Sequence, residues 1–579
     1  MLEHHIFVIH KHYLSALLYS IDFDTDVFNY LFISLDKKVL TMEDLIENAK
    51  TAGRGGAVIF FSNILSTLIS AFGAILVIRL LSPSDYGLYT IASIPASMIV
   101  MFGDWGVNSA LTKFIAQYRA EGNKQQVALI LRFSLIFKVG LSVFLTSVMF
   151  FLSDFLAGFI LQKPEAALLV KVSSLMFLGT QLYNTSWSIF LGFGTMKYNA
   201  LIQILFSALK AILATLLVFL GLKSFGAMAG LSFGNLVAGV VGILIVLFVL
   251  SNPLMKTISK NSIDNKEIMR LTLGYGFPLA IISLITGFGS QFYSFLMARY
   301  SPTDSVGNYG VASTFTVFVS FITFPVLNIL LPTFSKMSGA EAREGLEVAF
   351  RTSIKYVSYL VLPVTVGVMA LSQPLISLLF GEKYNAAALF LILSSVGNLF
   401  YGLGSLSMNS LLSSQGETNM VFKIGLLTMI VGIPSSLILI PYFGVIGFIV
   451  TNLIVQAAGT LMYIYWIKKL FKFKMWINQS AMTYFAAFTM GALVWVTISA
   501  LRLWVGINNE GILLGTGFLI GLSSYFLLLP LTGGIELTDL ENIKVIFGKS
   551  GFLSTIVNIL YVSLRKIIAI RSRHVRRIN

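Results

Sequence analysis

From residue 57 to residue 530 the chain passes through one long apolar stretch after another, and this succession decides what it can fold into. The first, AVIFFSNILSTLISAFGAILVIRL at 57–80, exceeds the roughly 20 residues that a helix needs to cross a bilayer. Backbone amides find no water in the hydrocarbon layer, so only helices and closed barrels span it. None of the stretches alternates polar and apolar residues with period two, so they predict helices. Charged residues are only 11% of the chain, against about 25% in soluble domains, and mean hydropathy is +0.85. The expected fold is an all-α polytopic membrane protein.

Fourteen spans are expected, near 57–80, 88–112, 127–152, 166–191, 198–220, 226–250, 276–298, 309–333, 354–380, 387–412, 418–440, 443–467, 480–501 and 511–530. An even number puts both termini on one side. Basic residues of short loops favour the cytoplasm. Loops after even-numbered spans carry 16 of them: Lys113, Arg119, Lys124, Lys197, Lys256, Lys260, Lys266, Arg270, Lys336, Arg343, Arg351, Lys423, Lys468, Lys469, Lys472 and Lys474. Loops after odd-numbered spans carry six: Arg79, Lys163, Lys223, Arg299, Lys383 and Arg502. Both termini are therefore expected in the cytoplasm, with the chain in the inner membrane. The net charge of +15 follows largely from these loops and from the basic cytoplasmic tail 531–579, which ends RKIIAIRSRHVRRIN.

Residues 41–56 read as an amphipathic helix on the cytoplasmic face. Residues 1–40 fit no element and read as an N-terminal extension without regular structure; LEHHIFVIHKHY lacks the plan of a cleavable signal peptide. Four of the five histidines (His4, His5, His10, His12) fall there and the fifth is His574, so none lies in a span. Cysteine is absent, which excludes disulfides and thiolate chemistry. No metal site, cofactor or catalytic residue is expected. No GxxxxGK[ST] loop occurs, so coupling to protons, sodium ions or the membrane potential is expected in place of direct ATP use.

The chain repeats itself. RLLSPSDYGLY (79–89) follows the first span and ARYSPTDSVGNY (298–309) follows the seventh. Arg79, Pro83, Asp85 and Gly87 thereby match Arg299, Pro302, Asp304 and a later glycine, as a tight turn on the outer side. Further pairs follow in order at offsets of 217 to 222: ALTKF (110–114) with LLPTF (330–334), QKPEAALL (162–169) with GEKYNAAA (381–388), and FGAMAGLSFGN (225–235) with FGVIGFIVTN (443–452). Each half holds six spans, so the repeat is parallel and its axis runs along the membrane normal. The expected organisation is a six-helix lobe at 57–250, a cytoplasmic linker at 251–275, a second lobe at 276–467 and two additional spans within 480–530. Two bundles facing each other enclose a cleft that opens to alternate sides as they rock.

The stretches ILVIRLLSPSDYGLYTIASI (75–94), GDWGVNSALTKFIAQY (103–118), LLFGEKYNAAALFLILSS (378–395) and SSQGETNMVFKIG (413–425) resemble the polysaccharide-transporter flippases. That family belongs to the superfamily of Wzx-type flippases, the lipid II flippase and the MATE antiporters. The resemblance covers about 41–530 and implies that a polyprenyl-linked oligosaccharide moves from the inner to the outer leaflet. The additional pair of spans is similar to that of the lipid II flippase, where it helps house a lipid tail. It implies membrane lipids and glycan-assembly proteins as partners, no nucleic acid, and a monomer.

Ionisable residues inside spans are costly and so mark candidate sites. Lys138 and Lys210 lie near mid-span, and a lipid diphosphate would suit them in a cleft. Arg132, Lys171, Lys355 and Lys423 are further cleft candidates, with snorkelling to an interface as the alternative. Asp104 is a candidate coupling-ion site or the partner of a nearby cation. Tyr183, Asn184, Trp187, Gln203, Asn235, Gln291, Tyr293, Asn398, Tyr401 and Asn409 offer sugar-binding walls or helix–helix hydrogen bonds. Pro95, Pro325, Pro363 and Pro434 are expected to bend spans. Two other classes compete. A MATE-like cation exporter would want carboxylates in the cleft, and a membrane glycosyltransferase or polymerase would want a sizeable outer loop.

Overall fold

The computed structural model describes residues 42–251, 265–337, 343–473, 477–547, 561, 562, 564, 565, 567 and 568. The expected extension 1–40, all five histidines, Lys256, Lys260, Lys474 and the last eleven tail residues lie outside these, as does the Pro325 side chain. The chain divides into two units, Met1–Val58 and Ile59–Asn579. The described part of the first, from Met42, is helical.

Among the described residues there is no strand. The helices are α1 Met42–Leu80, α2 Pro83–Phe102, α3 Val107–Ala120, α4 Lys124–Phe151, α5 Ala167–Phe193, α6 Met196–Leu217 and α7 Lys223–Ile245 in the first half. The second half holds α8 Asn265–Tyr300, α9 Thr303–Thr314, α10 Thr316–Ser335, α11 Arg343–Ala370, α12 Ser372–Phe380, α13 Asn385–Leu399, α14 Ser405–Ser414 and α15 Thr418–Phe471. Then come α16 Ile477–Leu503, α17 Glu510–Thr532 and α18 Leu537–Phe547.

Ten described helices are long and apolar enough to cross a bilayer, eleven if the bent pair α2–α3 counts as one. Fourteen were expected, and the elements are divided differently. Expected spans 198–220 and 226–250 share one stretch of 55 residues, Met196–Leu250. At 1.5 Å per residue that is about 80 Å, more than twice the thickness of a bilayer core. Spans 418–440 and 443–467 likewise share α15. Each long stretch turns at a glycine with positive φ, Gly221 (φ 88°) and Gly444 (φ 55°), a conformation in which a Cβ is strained. Expected span 309–333 is split between α9 and α10 at Phe315. Pro95, Pro363 and Pro434 stay inside continuous helices.

The repeated Ser-Pro-x-Asp turns are helix starts. Ser82 caps α2: its Oγ accepts from the Asp85 amide (3.1 Å) and donates to Asp85 Oδ2 (2.7 Å), with Pro83 in the first turn. Pro302 and Asp304 open α9 in the same way of sequence, without the side-chain cap. The two starts pack against each other. A Cβ on Gly87 would run into the Thr303 carbonyl, and a Cβ on Gly307 into that of Pro83. The contact is reciprocal between repeat-related residues and needs glycine on both sides.

Candidate functional site

A cavity of about 730 Å³ lies within the first half. Its walls are Ser66 to Val77 of α1, Tyr86 and Tyr89 of α2, Thr180, Tyr183 and Asn184 of α5, Gln203 to Ala214 of α6, and Ala227 and Asn235 of α7. Four residues of the second half complete it: Thr314, Phe315, Leu379 and Phe380. The Phe315 and Phe380 rings meet edge to face at 5.9 Å. Lys210 is the one Lys or Arg among the described lining residues, and none of them is acidic. Lys210 has no ion pair or hydrogen bond among the described residues. Tyr183 stacks on Trp187 (6.0 Å) and tilts against Phe206 (6.2 Å), so Trp187 backs the wall without lining it. Gln203 donates to Asn63 Oδ1 at 2.6 Å, and Asn235 Oδ1 lies 3.4 Å from the Thr180 hydroxyl.

Lys138 lies elsewhere. Helices α2 and α3 meet at 49° across Gly103–Gly106, where Trp105 (φ 51°) and Gly106 (φ 73°) break the ladder. A broken span leaves carbonyls without amides, and each must find a donor. Lys138 Nζ donates to Gly103 O (2.7 Å), Gln181 Nε2 to Val100 O (3.0 Å) and Trp105 Nε1 to Phe102 O (2.8 Å). Lys138 also donates to Gln181 Oε1 (2.8 Å) and pairs with Asp104 Oδ1 (3.2 Å). Asp104 in turn accepts from the Asn108 amide at the start of α3 (3.2 Å). A cation thus ends one helix and an anion begins the next, as the helix dipoles favour. Lys138 is 1% exposed and Asp104 36%.

The remaining candidates disperse. Lys355 is not in the cavity: it pairs with Asp539 (2.7 Å) and Glu536 (3.7 Å), which belong to the C-terminal segment. Lys171 lies over the Phe150 ring at 4.7 Å. Lys423 is exposed, 5.9 Å from the Trp466 ring, and Arg132 is exposed on α4. Gln291 is half-buried on α8, away from the cavity. Asn398 lines a separate pocket of about 50 Å³. Of the cleft and wall candidates, then, Lys210, Tyr183, Asn184, Gln203 and Asn235 share the large cavity.

The repeat arginines bind across the halves. Arg79 donates to Leu378 O near the end of α12 (2.8 Å), and Arg299 donates to Ile160 O. Lys383 donates to Arg79 O (2.7 Å), and the Tyr384 hydroxyl lies 3.1 Å from Ile78 O and 3.0 Å from Leu81 O. Tyr384 and Gln181 were not singled out in sequence. Tyr384 stands inside the repeated GEKYN segment, and Gln181 two residues before Tyr183 in the same apolar run, so both carried a signal.

The family model described as polysaccharide biosynthesis protein matches residues 52–338, and the MatE model matches 278–438. The solved lipid II flippase MurJ, in an inward closed conformation, superposes with a TM-score of 0.62 at 17% identity, covering 82% of this chain and 97% of that one. The capsular polysaccharide biosynthesis protein CapF of Staphylococcus aureus is 26% identical over 36% of this chain and 51% of its own length. The probable low-salt glycan biosynthesis flippase Agl15 of Haloferax volcanii is 20% identical over 42% of this chain and 48% of its own length. The match thus spans about half the length of each of these two relatives. The fold is that of the MATE-like multi-pass membrane proteins. Within that class the chain is similar to the polysaccharide biosynthesis proteins, whose family model matches residues 52–338.

Proposed function

We propose that this chain is a transporter, not an enzyme, and that it moves a lipid-linked glycan from the cytoplasmic to the outer leaflet of the cell membrane by alternating access, with both termini cytoplasmic. The observation that carries this reading is Lys210, an unpartnered cation in a cavity whose described walls hold no acid. A desolvated ammonium attracts a phosphate or diphosphate through charge-assisted hydrogen bonds. Tyr183, Phe206, Asn184, Gln203 and Asn235 offer faces and amides to sugars. A volume of about 730 Å³ suits a headgroup with its first sugars and leaves the lipid chain outside. An apolar groove of about 510 Å³ between α11, α16 and α17, lined by Pro363, Val494 and Phe518, supports a seat for that chain. The family description and the names of CapF and Agl15 support glycan traffic. A cation exporter would need a carboxylate where the cavity has Lys210.

The test is leaflet-specific glycan labelling in cells deprived of the protein and then supplied with variants. Deprived cells should hold their lipid-linked glycan on the cytoplasmic face. Lys210→Ala, inserted at normal level, should lose about 1.5–3 kcal/mol of binding, about ten- to a hundredfold in rate. Lys210→Arg should keep most of the activity. Full activity in Lys210→Ala would remove the assignment.

A further inference from the structure

Helices α1 and α6 are pinned to each other at two levels. At one, Gln203 donates to Asn63 Oδ1 (2.6 Å); at the other, Gly73 lies so close to Ala211 that a Cβ on it would collide. Between these levels the seam presents Ser66 and Ser70 of α1, and Ser207 and Lys210 of α6, to the large cavity. Ser66 and Ser70 are four apart and Ser207 and Lys210 three apart, so each pair shares a helix face. Ser66 is 3% exposed, and its Oγ has no hydrogen-bond partner among the described residues. A buried hydroxyl without a partner is rare and calls for an unseen one. The seam thus holds an unmatched hydroxyl as well as an unmatched charge.

We infer that the group seated on this seam is a phosphodiester, a monophosphate link between a lipid chain and its first sugar, and not a diphosphate. The choice between the two rests on the translocation reading and narrows its substrate class. Charge decides it. A phosphodiester carries a single negative charge at neutral pH, and a diphosphate diester carries a second. Charge buried away from water is costly unless it is matched. In sequence two mid-span lysines, Lys138 and Lys210, could share a diphosphate. The fold withdraws Lys138, which is 1% exposed and gives its N–H groups to Gly103 O, Asp104 and Gln181. Lys210 is then the one Lys or Arg among the described lining residues, with no acid to offset it. Its ammonium balances a phosphodiester in full and leaves a diphosphate with a charge that no cation meets. The two unesterified oxygens of a phosphodiester also suit the seam: one accepts from the Lys210 ammonium and the other from the Ser66 hydroxyl.

The experiment is equilibrium binding of two tritiated probes, farnesyl phosphoryl glucose and farnesyl diphosphoryl glucose, to the purified full chain in nanodiscs of phosphatidylcholine. The probes differ by one phosphate. Wild type should bind the monophosphate about tenfold or more tighter than the diphosphate. Lys210→Ala should weaken that binding by about tenfold or more, and Lys210→Arg, which keeps the charge, should retain both binding and preference. Ser66→Ala should weaken the monophosphate several-fold. Asn184→Arg, which adds a second cation to the wall, should shift the preference about tenfold toward the diphosphate. Equal binding of the two probes by wild type, or tighter binding of the diphosphate, would overturn the inference and leave the translocation reading standing. A preference unmoved by Asn184→Arg, in a variant that still binds, would do the same. Saturable binding of neither probe would remove the headgroup site, and the main support of the translocation reading with it.

Discussion

Lys138 has three N–H donors and uses all three, on Gly103 O, Asp104 and Gln181. Lys210 uses none among the described residues. In sequence the two look alike, each a lysine near the middle of an apolar run. What separates them is the break at Trp105 and Gly106, whose positive φ no hydrophobic periodicity marks. The opposite consequences can be measured by thermal melting in detergent. Lys138→Met should lower stability by about 2–3 kcal/mol, because Gly103 O and the Gln181 amide lose a donor and Asp104 its partner. Lys210→Met should leave stability unchanged or higher, since it removes a cation held in the fold without a partner. The same sign and size of change in both would mean that the two lysines do the same work.

At the scale of elements, the repeat was legible because its turns are chemically marked. Ser82, Pro83 and Asp85 announce a helix start as well as a turn, and the capping geometry decides between them. Bends were less legible: the prolines expected to make them stay inside helices, while the positive-φ turns at Gly221 and Gly444 fall at or beside the links expected between spans. The reach of Arg79 and Arg299 to carbonyls of the opposite half was not legible, because their acceptors are backbone. These two bonds close one end of the molecule symmetrically. Removing both should open it. Arg79 is exposed and Arg299 half-buried, and hydrogen bonds of this kind contribute about 1 kcal/mol each. The chain has no cysteine, so Ser70→Cys supplies a single reporter in the cavity wall. Arg79→Ala with Arg299→Ala should speed its labelling by a bulky hydrophilic maleimide by about tenfold or more. An unchanged rate would show that the arginines do not hold this end shut.

On the scale of the whole molecule, α18, which follows the additional spans, is fastened to the second half by charge. Lys355 pairs with Asp539, and the Tyr359 hydroxyl donates to Gly534 O and lies 3.3 Å from Asp539 Oδ2. Asp539 is buried, so Lys355→Met strands an anion at a cost of about 3–5 kcal/mol. Undocking of α18 relieves it. Limited proteolysis between Thr532 and Phe547 should then accelerate by about tenfold or more. A cleavage pattern identical to wild type would contradict that fastening.

The large cavity is walled by five helices of one half, and only four residues of the other close it. A passenger seated there stays with one wall and meets the same amine whichever door stands open. Letting go cannot then come from a change of partners. On the translocation proposed above, release would come from flooding: water entering on the far side raises the local dielectric, and an attraction that is strong in a dry chamber fades several-fold.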